Sequence, residues 1–177
     1  RLLGDGQPKY LNSPETLIYR KNRSLYGLSA AREGIRRQGR VIVVEGYMDV
    51  IQAHQQGVDE VVASSGTALT PEQVRLLKRY SDKVFIAYDA DAAGEAATIR
   101  GLDLLAAAGA EVKVVRLPAG EDPDSLLKKE GAAGFRRYVA ESVDLFTFKL
   151  AYILENEDVT TPAGKARAAQ RVFPILA

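Results

Sequence analysis

The chain has 177 residues, 46% of them hydrophobic and 27% charged, with one histidine and no cysteine. That is the composition of a globular domain, and it excludes both a disulfide-stapled scaffold and a thiolate zinc site. No apolar run approaches the roughly 20 residues of a bilayer span, and no signal-peptide pattern is present, so no membrane role is expected and the cytoplasm is the default.

The net charge of +1 hides an asymmetry. Residues 1–40 hold nine Lys/Arg against three acids, whereas the remainder holds fifteen against twenty. A basic arm suited to a polyanion is therefore joined to a body whose acids have a different task. The chain opens without a methionine and stops inside a helical pattern, "RVFPILA", so it reads as a piece of a longer protein.

The arm comes first. Residues 8–28, "PKYLNSPETLIYRKNRSLYGL", interleave Lys9, Arg20, Lys21 and Arg23 with Tyr10, Tyr19 and Tyr26 and the polar pair Asn12 and Ser13. Cations match phosphates and tyrosines can stack on bases, the mixture used by single-strand grooves.

The body follows as alternating strands and helices. "RVIVVE" (40–45) is a near-continuous apolar run, as expected of a strand buried on both faces. The helix after it ends at Gly57, and His54 on it, among glutamines, reads as exposed. "DEVVAS" (59–64) is a second strand, followed by a small-residue loop over 64–71. In "TPEQVRLLKRY", Thr70 is placed as N-cap, Pro71 as first helical residue and Gln73 as capping-box partner. "KVFIAYD" (83–89) is the third strand, "AAGEAATIRGLDLLAAAG" a helix closing at Gly109, and "EVKVVRL" (111–117) the fourth strand. From Asp124 onward the pattern is helical throughout, in short pieces that include "DSLLKKEG" and "AGFRRYVAES". The expectation is an α/β fold with a mostly parallel four-stranded sheet flanked by helices, a basic N-terminal segment and a C-terminal helical subdomain.

Parallel strands deliver their carboxyl ends to one edge of a sheet, where ligands bind. Three of the four strands here end in acids: Glu45 and Asp49 in "EGYMD", Asp89 and Asp91 in "YDADAAG", and Glu121, Asp122 and Asp124 in "EDPD". Uncompensated, such a cluster opposes folding, because like charges raise one another's pKa. A hard divalent cation resolves the conflict, and an all-oxygen donor set favours magnesium, manganese or calcium over zinc. Singly, each acid has a plainer use: Asp91 and Asp122 each fit a helix N-cap, and Glu45 a surface position. Acids at three corresponding strand ends argue for the cation cradle. No Walker or dinucleotide glycine motif is present, and a single histidine supports no Ser–His–acid triad.

"EGYMDV" with the DxD pair in "YDADAAG", together with "PKYLNSPET", "LYGL" and "GEDPDSLL", resembles the bacterial DnaG-type DNA primases and their TOPRIM domain. The resemblance divides the chain into the end of a basic N-terminal subdomain (1–38), a TOPRIM domain (39–122) and a truncated helical subdomain (123–177). It implies a nucleotidyltransferase, a DNA-directed RNA polymerase that makes RNA primers from NTPs on a single-stranded DNA template during replication, with two or more Mg²⁺ or Mn²⁺ ions. Glu45, Asp49, Asp89, Asp91, Asp122 and Asp124 would be the metal-site acids, with Glu45, Asp89 and Asp91 catalytic. Lys9, Tyr10, Asn12, Ser13, Lys21 and Arg23 would meet nucleotide and template. Ala90 stands between the aspartates where the family commonly has glycine. The zinc-binding domain, and the contacts to the replicative helicase and single-strand-binding protein, would lie in regions absent here, leaving the piece weakly active alone. The rivals are another TOPRIM activity, nuclease or topoisomerase, and a non-catalytic nucleic-acid-binding module with a structural cation.

Overall fold

The computed structural model describes residues 14–17, 19–65, 68–89 and 92–176. Asp91, Lys9, Tyr10, Asn12 and Ser13 lie outside the described residues.

A one-turn 3₁₀ helix, Lys21–Arg23, leads into α1 (Leu28–Gln38). There follow β1 (Val41–Val44), α2 (Tyr47–Gln55), β2 (Val61–Ala63), α3 (Pro71–Lys78), β3 (Lys83–Ile86), α4 (Ala92–Ala107), β4 (Glu111–Val114), α5 (Pro123–Ala140), β5 (Val143–Asp144), α6 (Leu145–Glu155) and α7 (Pro162–Leu176). The strands lie in the order β2-β1-β3-β4-β5, with β1–β4 parallel and β5 antiparallel to β4.

Alternation along β1 builds two cores. Val41 and Val43 join Ala31 and Ile35 of α1, Leu77 of α3, and Leu102 and Leu105 of α4 on one face. Ile42 and Val44 join Val50 and Ala53 of α2 and Leu126, Leu127 and Phe135 of α5 on the other. All four β1 residues are buried, which explains the unbroken apolar run, each contributing about 1.5–3 kcal/mol on removal from water. The helix starts follow local chemistry: Thr70 Oγ1 accepts from the Gln73 N–H at 3.2 Å while Gln73 Oε1 accepts from the Thr70 N–H at 3.1 Å, closing the expected box.

Two expectations are corrected. The helical C-terminal part also contains a strand, β5, so the sheet has five strands, not four. β5 is two residues long, too short to show a period, and its Asp144 doubles as N-cap of α6, accepting from the Thr147 N–H at 2.9 Å. His54 is half-buried and not exposed: its Nε2 lies 2.9 Å from the Val61 carbonyl, tying α2 to β2. The split between the first two C-terminal helical pieces is present as a break within α5 at Gly131, whose φ of 70° and ψ of −176° are not helical.

Candidate metal and nucleotide centre at the carboxyl edge

In this strand order the chain leaves β1 for β2 on one side and then returns to place β3 on the other. The switch point, where open α/β sheets bind ligands, therefore lies between the carboxyl ends of β1 and β3. Glu45 immediately follows β1, and Asp89 stands three residues past β3. Asp49 sits in the first turn of α2, and Asp122 and Asp124 straddle the start of α5, which packs on α2.

Asp49 is the most deeply set of these, 7% exposed. Its Oδ2 accepts from the Gly46 N–H at 2.9 Å and its Oδ1 from the Asp124 N–H at 3.2 Å, across 75 residues of sequence. Burial, reinforced by the charges of Asp89 and Asp122, outweighs these two bonds and pushes its carboxyl up to about 6. Three strand ends are thus within electrostatic reach of one another. Asp122 accepts from the Ser125 N–H at 2.6 Å, so the plainer role as N-cap of α5 is realised. Asp124 Oδ2 takes Lys128 Nζ at 2.5 Å, while its Oδ1 is buried without a hydrogen-bond partner. Glu121 is held by Ser125 Oγ at 2.6 Å and Lys129 Nζ at 2.9 Å.

Among the described residues no set of three acids is arranged around a single point as ion ligands. Asp49 and Asp122 are instead turned to backbone N–H groups at helix starts. Tyr88, beside Asp89, is support: its hydroxyl donates to Ser64 Oγ at 3.4 Å, and burial, aided by the Glu45 charge, pushes the phenol up to about 12.

Next to the acids, at the β2 side of the sheet, Tyr19, Tyr26, Tyr47, Lys21 and His54 line an open groove of about 840 Å³. The Tyr26 and Tyr47 rings lie 4.7 Å apart, tilted by 54°, and Tyr19 hydrogen-bonds to Tyr47 through its side chain. Tyr47 stands between Glu45 and Asp49 in sequence, joining groove to acids. The arm is fixed here by the buried Gln73, whose Nε2 donates to the carbonyls of Ser24 at 2.9 Å and Lys21 at 3.2 Å. Lys21 reaches the groove, whereas Arg23 is exposed and does not line it. Sequence reasoning missed Tyr47, for which the aromatic between two acids in "EGYMD" was a signal, and the second use of Gln73, for which there was none.

Three family models match along the chain: the N-terminal domain of the DNA primase catalytic core at residues 1–32, a Toprim-like domain at 42–127, and the DnaB-helicase binding domain of primase at 146–177. The DNA primase of Clostridium acetobutylicum is 50% identical across 99% of this chain, and that of Escherichia coli K12 is 40% identical across 99%. The chain belongs to the DnaG-type DNA primases. It spans 29% and 31% of those two primases. Solved primase structures share the fold. A DnaG catalytic domain bound to single-stranded DNA superposes with a TM-score of 0.84 at 40% identity, covering 98% of this chain and 57% of that one. The Aquifex aeolicus primase gives a TM-score of 0.78 at 42% identity, covering 88% and 39%. The helicase-binding match covers α6 and α7, within the chain, where the sequence reading had set the helicase contact outside it.

Proposed function

We propose that this chain carries the nucleotidyl-transfer centre of a primase, joining NTPs into a short RNA primer on a single-stranded DNA template in the primosome. Because it spans under a third of its curated relatives, it is assigned the chemistry of the reaction, with weak synthesis alone. The observation that carries the reading is the buried Asp49 carboxylate, held near the charges of Asp89 and Asp122 and beside an Asp124 oxygen that is buried and unpaired. An all-oxygen set that is under-compensated in this way fits hard divalent ions, Mg²⁺ or Mn²⁺. Glu45, Asp49, Asp89, Asp91, Asp122 and Asp124 would hold them. When bound, such ions lower the pKa of an attacking hydroxyl and stabilise a pyrophosphate leaving group.

The rest is the chain's own work. The switch point between β1 and β3 offers a rigid floor for the reacting phosphates. Tyr47, Tyr26 and Tyr19 provide a stacking surface for a base beside that floor, and Lys21 a cation for phosphate, supported by the groove they line. Lys9, Tyr10, Asn12, Ser13 and Arg23 would extend the same basic surface. α6 and α7 would face the replicative helicase, supported by the match over 146–177 and by the exposed Phe173. Residence in the cytoplasm, at the replication fork, follows from this role. Among the described residues no helix is long and apolar enough to cross a membrane.

The test is Mn²⁺ titration by electron paramagnetic resonance on wild type and Asp89→Asn, paired with primer synthesis by the full-length enzyme carrying the same change. Loss of both Mn²⁺ and synthesis, with unfolding unchanged, is the expected result. Intact synthesis in the variant would refute the assignment, and lost stability with intact turnover would make the ion structural.

A further inference from the structure

We infer that Gln56 is a positioning residue for the acidic centre, fixing the first half of α5 and with it the register of Asp122 and Asp124 against Asp49. This rests on the metal-centre reading above. Gln56 follows α2 directly, and its Nε2 donates to the Leu127 carbonyl at 2.8 Å, 71 residues away. The break at Gly131 ends the first half of α5 at Glu130, so Leu127 is the first of the four last carbonyls that a helix leaves without an internal partner. Gln56 supplies a donor from a neighbouring helix. Its Oε1 lies against the break itself, 3.6 Å from where a β-carbon on Gly131 would stand.

Among the described residues few directional contacts orient the first half of α5. Leu126 and Leu127 are fully buried, which sets how deeply the segment sits but not its rotation or slide, because apolar burial has no direction. The Asp124 N–H to Asp49 bond, at 3.2 Å, is long. Lys128 and Lys129 are exposed and pair with Asp124 of the same segment and with Glu121 just before it, so they lend no anchorage to the sheet. The Gln56 bond is the short, directional tie from this two-turn segment to α2, the helix that carries Asp49. The second half is anchored separately: Arg136 Nη2 donates to the Gly57 carbonyl at 2.8 Å, and Arg136 Nη1 lies 3.5 Å from Glu60. One turn after α2 therefore grips both halves, and only the Gln56 grip bears on the carboxylates.

The experiment compares Gln56→Ala, the isosteric Gln56→Glu and Arg136→Ala. Each is read by Mn²⁺ affinity on the chain and by thermal unfolding in EDTA. Both Gln56 variants are expected to lose about tenfold in Mn²⁺ affinity, the scale of an outer-shell defect. Arg136→Ala, which loosens the other half, is expected to leave Mn²⁺ affinity unchanged while lowering the melting temperature. Wild-type Mn²⁺ affinity in Gln56→Ala overturns the inference, as does an equal loss in Arg136→Ala, which would reduce the effect to general loosening. If the wild-type chain binds no Mn²⁺, the metal reading fails and the inference with it. If the wild type binds and Gln56→Ala is unaffected, the inference alone falls.

Discussion

Among the described residues two acids are buried, at opposite ends of the sheet, and they are compensated in opposite ways. Glu60 immediately precedes β2 at the amino edge and is fully buried. Arg40 Nη2 reaches its Oε1 at 3.1 Å, and Arg136 Nη1 lies 3.5 Å from the same oxygen. Nearby, Gly34 lets α1 approach so closely that a β-carbon there would stand 2.6 Å from Asp59 Oδ1, and Arg37 then grips both Asp59 oxygens at 2.6 and 2.7 Å. Asp49, at the carboxyl edge, has backbone N–H groups for partners and acids for neighbours. At Glu60 the charge is met by two guanidinium groups, both at Oε1, while its Oε2 is buried without a hydrogen-bond partner. At Asp49 the neighbouring charges are like in sign, and under the proposed function a cation would complete the site.

That contrast can be broken at either edge. The largest expected effect is on Glu60→Ala, which strands two arginines. Loss of one partner of a buried pair costs about 3–5 kcal/mol, and the partial exposure of Arg40 and Arg136 places this case near the lower end. Urea unfolding should show it, with Mn²⁺ affinity of the folded protein retained. Asp89→Asn should invert the pattern: denaturation midpoint within error of wild type, and turnover of the full-length enzyme down at least about a hundredfold, or about 3 kcal/mol in the barrier.

A pH series sharpens the comparison further. The Asp49 carboxyl has a folded-state pKa of about 6, above the ordinary 3.8, so the folded state holds its proton more tightly than the unfolded chain does. The stability this contributes is fully present below about pH 4 and is lost as pH rises through 6. Metal-free wild type should therefore lose stability across that window relative to Asp49→Asn, while Mn²⁺ affinity rises over the same range as the ligand sheds its proton. A flat difference between the two proteins from pH 4 to 6.5 would refute the account. The smallest effect belongs to Thr70→Ala, a capping loss of about 1 kcal/mol read from the thermal midpoint, with no change in Mn²⁺ binding.

What could be read from the sequence was what depends on near neighbours. Four parallel strands, the Thr70 capping box, the break at Gly131 and the acids at strand ends all follow from periodicity, from turn residues or from short spacings. β5 escaped because two residues carry no period. His54 was misjudged because its bond to the Val61 carbonyl depends on how α2 lies over β2. The ties from Gln73 to the arm, from Gln56 to Leu127 and from Asp49 to Asp124 span 49 to 75 residues, and no local pattern encodes them. The site was thus legible as a set of acids and not as an arrangement. Which oxygens are already taken by helix starts, and which one at Asp124 is left over, is decided by packing alone.

The short bridge beside the tyrosine groove has a consequence for the protein in concentrated solution. Tyr26 and Ala63 exchange backbone hydrogen bonds at 2.9 and 3.0 Å, so a piece of the arm lies along the outer side of β2. At the far side the sheet ends in β5, two residues long and immediately turned into a helix. Unpaired strand margins are templates on which other chains can add, and here one is masked and the other is too short to serve. Among the described residues the five-stranded sheet thus offers no long unpaired margin at either side, although its interior strand β1 is wholly apolar.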